Sequence, residues 1–287
     1  MSENAHSNLY EAVQGIKSLR DKIVEVHNFQ NGFQESSNMN ENESNQFYNS
    51  DMTIITPGCK EATWLLMHVL SKKIPIFLVS PTWVAYESQV TCSDKNLYWI
   101  DTKFEDNFKL TKEGLESAVK KAEDDGNFHL NDDKIGMDFY GLVILVEPDN
   151  PSGRSHSHQE LEQLAGVLRK NKLMVLSDEI YGFLSFDHKL LSKNINQRKI
   201  SIAKYYPEGT IISSGFSKWA SLGGWRIGYN MYPNTEPMKK ILHRVKSAAS
   251  FSYSCVTSPV QYACLDLLKD VFDNKNYQFL YKASVIL

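Results

Sequence analysis

The sequence has few of the features that mark a metal site, a disulfide scaffold or a membrane span. Its 287 residues include only four cysteines, Cys59, Cys92, Cys255 and Cys264, and no two of them form a C-x-x-C pair. This spacing excludes a zinc ribbon and a disulfide framework, and we expect the last three thiols to be buried or partly buried. No apolar run approaches the roughly 18 residues that a membrane-spanning helix needs.

An excess of charge of one sign is also missing. Lys and Arg number 31 against 34 Asp and Glu, for a formal net charge of −3, and the charges are scattered. The chain therefore lacks the basic face that nucleic acids require. We expect small molecules and other protein subunits as partners, with neither nucleic acid nor membrane among them. The first residues lack the basic start and apolar stretch of a secretory signal, which favours a cytoplasmic location.

Histidine is present, but its spacing does not favour a metal site. His156 and His158 flank a predicted helix start and are only two residues apart. Metal sites usually need three or more converging ligands. We therefore interpret both as solvated residues of a turn, and we predict no metal.

The composition is that of a globular chain. Hydrophobic residues make up 42% of it, enough for one large domain or two modest ones. Because no Gly/Pro-rich linker divides the sequence, we expect a single domain over residues 1–287. Residues 1–30 are predicted to be a helical segment, and the polar, asparagine-rich residues 31–50 to be a disordered insertion.

Short apolar runs alternate with amphipathic segments along the rest of the chain. Strands are predicted at 53–55, 74–79, 97–100, 141–146, 173–176, 210–212 and 227–230, and helices at 60–71, 111–123, 159–170, 236–247 and 258–269. Such alternation is typical of an α/β fold whose mostly parallel central sheet is covered by helices on both faces, a three-layer α/β/α arrangement.

One lysine stands out among turn-forming residues. Lys218 lies in the run Ser213-Ser214-Gly215-Phe216-Ser217-Lys218-Trp219, directly after an apolar strand. In a pocket, desolvation favours the neutral amine that attacks carbonyl groups. The sequence therefore predicts Schiff-base chemistry at Lys218.

Two other predicted strands end in polar residues. Asp178-Glu179-Ile180-Tyr181 follows the strand at 173–176, and Glu147-Pro148-Asp149-Asn150-Pro151-Ser152-Gly153 follows the strand at 141–146. Ligands of α/β sheets gather where the strands run out into loops. We expect a binding site there.

Three motifs in this order resemble the pyridoxal-phosphate-dependent aminotransferases of fold type I, class I/II, which include the aspartate and aromatic aminotransferases. They are Asn150-Pro151-Ser152-Gly153, Asp178-Glu179-Ile180-Tyr181, and Ser217-Lys218 with Gly224-Trp225-Arg226-Ile227-Gly228-Tyr229. The resemblance implies the family's large-domain fold, a homodimer, and transfer of an amino group from an α-amino acid to a 2-oxo acid. It extends over about residues 10 to 268.

The family's closing arm and small C-terminal domain are not recognisable. We therefore expect a truncated chain in which residues 270–287 are the start of that domain. The domain carries the family's arginine for the substrate carboxylate, so turnover should suffer more than cofactor binding.

The resemblance also assigns roles toward pyridoxal 5′-phosphate. Lys218 would hold the cofactor as an imine and then move the Cα proton of the substrate. Asp178 would keep the pyridine nitrogen protonated, Tyr181 and Asn150 would hydrogen-bond the phenolic oxygen, and Trp83 would stack on the ring.

The phosphate would lie at the start of a helix. Gly58-Cys59-Lys60 offers backbone N–H groups at the positive end of the helix dipole, and Arg226 offers a bidentate fork. Many family members carry a phosphate-binding serine where this chain has Gly215. We expect Lys60 and Ser217 to compensate, and we give the Cys59 side chain no catalytic role.

Other interpretations stay open at this point. Asp178 is also a suitable helix cap, Asn150 a turn residue before proline, and Trp83 a core tryptophan. The same cofactor pocket also serves lyases and aminocyclopropane-forming enzymes, and a short chain could be a catalytically impaired interaction subunit.

Overall fold

The computed structural model describes residues 9–31, 47–128, 138–184 and 201–273. Most of the polar segment predicted at 31–50, and residues 274–287 of the predicted C-terminal start, lie outside the described residues. Within the described ranges, no helix combines the length and the hydropathy needed to span a lipid bilayer.

Seven strands form a sheet in the order β1-β7-β6-β5-β4-β2-β3. The strands are β1 Thr53–Thr56, β2 Ile76–Ser80, β3 Leu97–Asp101, β4 Gly141–Val146, β5 Leu173–Asp178, β6 Thr210–Gly215 and β7 Gly228–Met231. The helices are α1 Lys17–Asn31, α2 Cys59–Val69, α3 Ala85–Cys92, α4 Lys112–Asp124, α5 His158–Lys170, α6 Glu236–Ser252 and α7 Ser258–Phe272. The predicted α/β fold with a mostly parallel sheet is confirmed.

The chain divides into two compact units, and one of them comprises Leu66–Glu179 and Ile200–Ile212. In this unit β2 pairs in parallel with β3 and β4, and β4 pairs in parallel with β5. Every residue of β4 and β5 is buried, as expected for parallel strands covered on both faces. The apolar sides of α4 and α5 pack into the same core, with Leu115 and Leu161 fully buried.

The second unit comprises Met1–Leu65, Ile180–Lys199 and Ser213–Leu287. Here β1 pairs antiparallel with β7. In α1, Leu19 and Ile23 are buried, and its Lys22 pairs with Glu25 and with Asp273, just after α7.

Local capping explains two helix starts. The Thr111 side chain accepts a hydrogen bond from the Gly114 N–H at 3.1 Å and begins α4. Ser157 and Glu160 form a capping box that begins α5, an arrangement that satisfies two N–H groups without helical partners.

Three sequence expectations need correction. Helix α3 was not predicted, because its eight residues carry only a short apolar stripe, with Tyr86 and Val90 buried. The opening helix begins only at Lys17. Cys264 is buried and Cys255 partly buried, but Cys92 is exposed, because it lies at the end of the short α3.

Candidate active site

The turn after β6 presents Lys218. Phe216 and Trp219 are buried on either side of it, and the Trp219 indole N–H donates to the Gly215 carbonyl at 2.9 Å. The ammonium of Lys218 lies 5.6 Å from the centre of the Tyr181 ring, within cation–π range. The side chain of Lys218 is exposed, so the structure does not supply the desolvation that the sequence led us to expect.

The predicted phosphate-binding turn lies in the same unit as Lys218. Gly58 adopts φ +85°, and a Cβ at this position would lie 2.5 Å from Nη2 of Arg226. The guanidinium therefore fills the space beside Gly58, just before α2 begins at Cys59. Arg226 itself has a positive φ of 54°, uncommon for a residue with a side chain, and its Nη1 donates to the Gly223 carbonyl at 2.6 Å.

This arrangement concentrates positive potential at the start of α2. Helix N-termini present N–H groups without helical partners and the positive end of the dipole, and the Arg226 fork adds donors suited to phosphate. The exposed Lys60 belongs to the first turn of the helix. These residues fit a phosphate group.

Close packing around position 215 leaves room for glycine only. A Cβ on it would lie 2.9 Å from the Gly228 Cα, 3.0 Å from the Ile227 carbonyl oxygen and 3.4 Å from Cys59 Sγ. The first two are backbone atoms, which cannot move aside cheaply. A serine at this position would not fit, so a different group must supply its hydrogen bond.

In the other unit, Asp178 ends β5 as a buried carboxylate, 6% exposed. It accepts a short hydrogen bond from the hydroxyl of Tyr86, which is itself 1% exposed. Residues 179–184 form a turn rather than a helix, which disfavours the helix-cap interpretation of Asp178. The carboxylate is oriented by a phenol, the kind of partner that fixes a functional acid.

Tyr86 is a functional candidate that the sequence analysis missed. It lies in α3, three residues after Trp83, and the two rings meet edge to face at 5.3 Å and 86°. Trp83 is half-buried, which disfavours the core interpretation of this tryptophan. The signal available in the sequence was a pair of aromatic residues, Trp83 and Tyr86, shortly after the strand that ends at Ser80.

Asn150 lies at the tip of the loop between β4 and α5 and is partly exposed. The Asp149 N–H donates to the Arg154 carbonyl at 2.9 Å and so closes the tip. At the base of the loop, the Glu147 N–H donates to the backbone carbonyl of Asp178 at 2.8 Å. The loop of Asn150 is thus tied to the strand end that carries Asp178.

The interpretation of His156 as a solvated residue is wrong. It is 4% exposed, and its Nδ1 lies 2.6 Å from Glu147 Oε2. The acidic partner lies nine residues earlier in the sequence and was missed because only near neighbours were considered. Across the described residues, no group of three or more His, Cys, Asp or Glu side chains is placed to hold a metal ion.

Comparisons with known proteins agree with the motifs. The sequence profile of the family described as aminotransferase class I and II matches residues 1–283. The chain is 28% identical over 267 residues to an asparagine–oxo-acid transaminase of Streptococcus mutans, covering 91% of this chain and 60% of the relative. It is 29% identical over 221 residues to an aspartate aminotransferase of Bacillus sp. strain YM-2, covering 76% and 49%.

Solved structures show the same fold. A mutant aspartate aminotransferase from Thermus thermophilus matches with a TM-score of 0.76 at 22% identity, over 97% of this chain and 61% of that one. An aromatic aminotransferase from Pyrococcus horikoshii matches with a TM-score of 0.74 at 23% identity, over 98% and 63%. The chain spans between about half and two thirds of the length of these proteins. From the profile match over nearly its whole length, the chain belongs to the class I and II aminotransferase family.

Proposed function

We propose that this chain binds pyridoxal 5′-phosphate through Lys218 and moves an amino group from an α-amino acid to a 2-oxo acid. The observation that carries the proposal is the lysine turn and the phosphate cradle of Gly58 and Arg226, which lie in one compact unit. The cradle has the charge and shape that a phosphate monoester needs.

The surroundings of several predicted residues support a role toward the cofactor. The start of α2, with Lys60 and Arg226, would hold the phosphate, and Ser217 is a further donor beside the lysine. The buried carboxylate of Asp178 would pair with the pyridine nitrogen, since a buried anion stabilises a cation beside it.

Three other residues would act on the ring of the cofactor. Trp83, which is half-buried just before α3, would stack on the ring of the cofactor. Tyr181 and Asn150 would donate hydrogen bonds to the phenolic oxygen of the cofactor. The proposal that one cofactor molecule contacts all of these residues rests on the motif order and on family membership.

The bound cofactor supplies an electron sink for the bond that breaks at the substrate Cα. The chain would supply the proton movement: Nζ of Lys218 would take the proton from the substrate Cα and hold it for return. The Tyr181 ring lies 5.6 Å from the ammonium of Lys218, close enough for a cation–π attraction that favours this position of the amine. A base held in place contributes typically about 10²–10⁴-fold to the rate.

Because the chain spans only part of the length of its relatives, its substrates and its assembly are matters of proposal. The chain covers only 49% and 60% of the two relatives, and we assign no particular donor or acceptor. A homodimer and a cytoplasmic location remain predictions.

The decisive experiment maps the reactive lysine. The purified chain is mixed with pyridoxal 5′-phosphate, its absorbance is recorded before and after borohydride, and the reduced adduct is located by peptide mapping. We expect the adduct on Lys218, its loss in Lys218→Ala, and its retention in Lys60→Ala. An adduct on another lysine, or a chain that takes up no cofactor, refutes the proposal.

A second assay separates transfer from other reactions. Candidate amino acids are added to the loaded protein, and conversion of the cofactor to its amine form is followed by absorbance. Conversion identifies an aminotransferase. Release of an unsaturated or cyclic product without conversion identifies a lyase, and full binding with no reaction identifies an interaction subunit.

A further inference from the structure

His156 and Glu147 form a buried pair at the base of the loop that carries Asn150. Their exposed fractions are 4% and 1%. Besides the 2.6 Å contact of Nδ1, the backbone N–H of His156 meets both carboxylate oxygens of Glu147, at 3.2 and 3.3 Å. The second ring nitrogen, Nε2, lies 3.1 Å from the Leu110 carbonyl oxygen.

These partners determine the protonation state of the ring. A carbonyl oxygen only accepts, so Nε2 must carry a proton. With Glu147 as a carboxylate, an acceptor-only group that also takes the backbone N–H of His156, Nδ1 donates as well. Since a neutral imidazole has a single N–H, the contacts require His156 to be an imidazolium and the pair to be a buried ion pair.

The balance of burial and charge agrees with this assignment. Burial alone lowers the pKa of His156, but the hydrogen bond and charge of Glu147, helped by the Leu110 carbonyl and the charge of Glu160, outweigh it and raise the pKa from 6.5. Glu160 also binds Lys109 at 3.1 Å. The other charged groups facing this region are Asp149 and Arg154, which with Lys109 and His156 line a small cavity.

The ion pair joins the two ends of the Asn150 loop. Glu147 follows β4 and His156 precedes α5, so their contact closes the loop at its base. The Leu110 carbonyl and the pair of Lys109 with Glu160 tie the same base to the segment before α4. The contact between His156 and Glu147 is therefore one of the ties that hold the loop carrying Asn150, together with the bond of the Asp149 N–H to the Arg154 carbonyl.

We propose that the ion pair of His156 and Glu147 positions Asn150 toward the cofactor, and that the loop loosens when His156 loses its proton. The role of Asn150 rests on the proposed function, whereas the ion pair does not. His156 is a positioning residue in this scheme. Because its pKa is raised in the folded state, the stabilisation is complete below the unfolded pKa of about 6.5 and is lost as pH rises through the folded pKa.

The first test needs no cofactor. Urea unfolding of the full chain is compared for wild type, His156→Gln and His158→Gln from about pH 5.5 to about pH 9, on either side of the ordinary histidine pKa. His158 is the matched control, because it follows closely in the sequence and its Nδ1 meets the Tyr205 hydroxyl at 2.5 Å.

We expect the unfolding equilibrium constant of His156→Gln to exceed that of the wild type most at low pH and progressively less at high pH. The ratio of the two constants should change about tenfold for each unit by which the fold raises the pKa of His156. His158→Gln, which retains the pair of His156 with Glu147, should not reproduce this trend. An effect of His156→Gln that is equal at every pH overturns the ion pair.

A measurement on the wild-type chain tests the ion pair even if His156→Gln fails to fold. Imidazole ¹⁵N shifts of the wild-type chain are followed against pH by NMR. Two protonated nitrogens on a buried ring above about pH 6.5 support the ion pair, since an ordinary histidine is then mostly neutral. A neutral His156 ring at that pH overturns it.

The second test measures positioning through cofactor affinity. Pyridoxal 5′-phosphate is titrated into wild type, Glu147→Gln and Asn150→Ala across the same pH range. The Kd of the wild type should rise about two- to tenfold through the His156 transition, the size of one hydrogen bond. Asn150→Ala should lack this step, and Glu147→Gln should move it to lower pH.

The outcomes separate the two proposals. Identical pH profiles in wild type and Glu147→Gln overturn the positioning role while the cofactor still binds. A wild type that binds no cofactor at any pH overturns the proposed function and the positioning of Asn150 together, and the unfolding experiment still decides the ion pair.

Discussion

The Gly58→Ala substitution tests the phosphate cradle most directly. The new methyl would lie 2.5 Å from Arg226 Nη2 and 3.2 Å from its Cζ, so the guanidinium must leave the start of α2. Nη2 is the far end of a flexible side chain, so it moves aside without distorting the backbone. The substitution should therefore act on phosphate binding more than on folding.

The two effects have separate magnitudes. The positive φ of Gly58 costs an alanine about 1–2 kcal/mol of folding stability. Loss of a charge-assisted hydrogen bond to phosphate costs about 1.5–3 kcal/mol, which is roughly a 10- to 100-fold weaker Kd. The affinity is measured by absorbance titration with pyridoxal 5′-phosphate, and the stability by urea unfolding.

Gly126→Ala is the matched control. Gly126 has φ +72°, and a Cβ there meets nothing within 4 Å. The two variants should lose similar stability, because they share the backbone strain, and only Gly58→Ala should lose affinity. Equal cofactor affinity in the two variants would refute the assignment of Arg226 to the phosphate.

Three further predictions concern single side chains. Gly215→Ser should destabilise the fold by about 1–3 kcal/mol in urea unfolding, because the new side chain meets the backbone of Gly228, and it should not tighten cofactor binding. Tyr86→Phe leaves the buried Asp178 carboxylate without its phenol donor, which should cost about 1–3 kcal/mol of stability and alter the pH dependence of the bound cofactor's absorbance. Lys60→Ala should weaken cofactor binding a few-fold, as expected for roughly 0.5–1 kcal/mol from an exposed charge, and high salt should reduce the difference.

Controls for these variants come from the same chain. Gly166→Ser introduces the same group on α5, where a Cβ meets nothing within 4 Å, and should leave stability nearly unchanged or raise it. Tyr98→Phe removes a different hydroxyl, which accepts from Asn127, and should leave the cofactor spectrum unaltered. Lys103→Ala removes an exposed charge from a surface loop and should not change affinity. If a control changes stability and cofactor binding or absorbance as much as its test variant does, the corresponding site assignment is wrong.

Strand and helix positions followed from local patterns. The prediction for β4 matched its observed bounds, Gly141–Val146, because a fully apolar run between polar turns leaves little choice. Helix α5 begins at His158, one residue before the predicted start, since Ser157 and Glu160 form a capping box. Helix α3 escaped prediction because its eight residues are fewer than the roughly 11–18 over which helical periodicity is recognised.

The partners of the site residues did not follow from the sequence. The acid at 178 could be identified, but its donor Tyr86 lies 92 residues away along the chain. The lysine could be identified, but its exposure could not, because exposure depends on how neighbouring segments pack. For His156, a search of near neighbours missed Glu147, which the loop brings back to it.

Local features of the chain were enough to identify the family, the alternation of strands and helices, and the residue types that could hold a cofactor, because periodicity, turn chemistry and motif order are properties of neighbouring residues. The packing of remote segments was needed to show that Gly58 makes room for Arg226, that Gly215 admits no side chain, and that His156 is buried against Glu147. Those contacts depend on backbone paths that meet in space, and distances of a few ångströms between remote segments are not encoded in any local pattern.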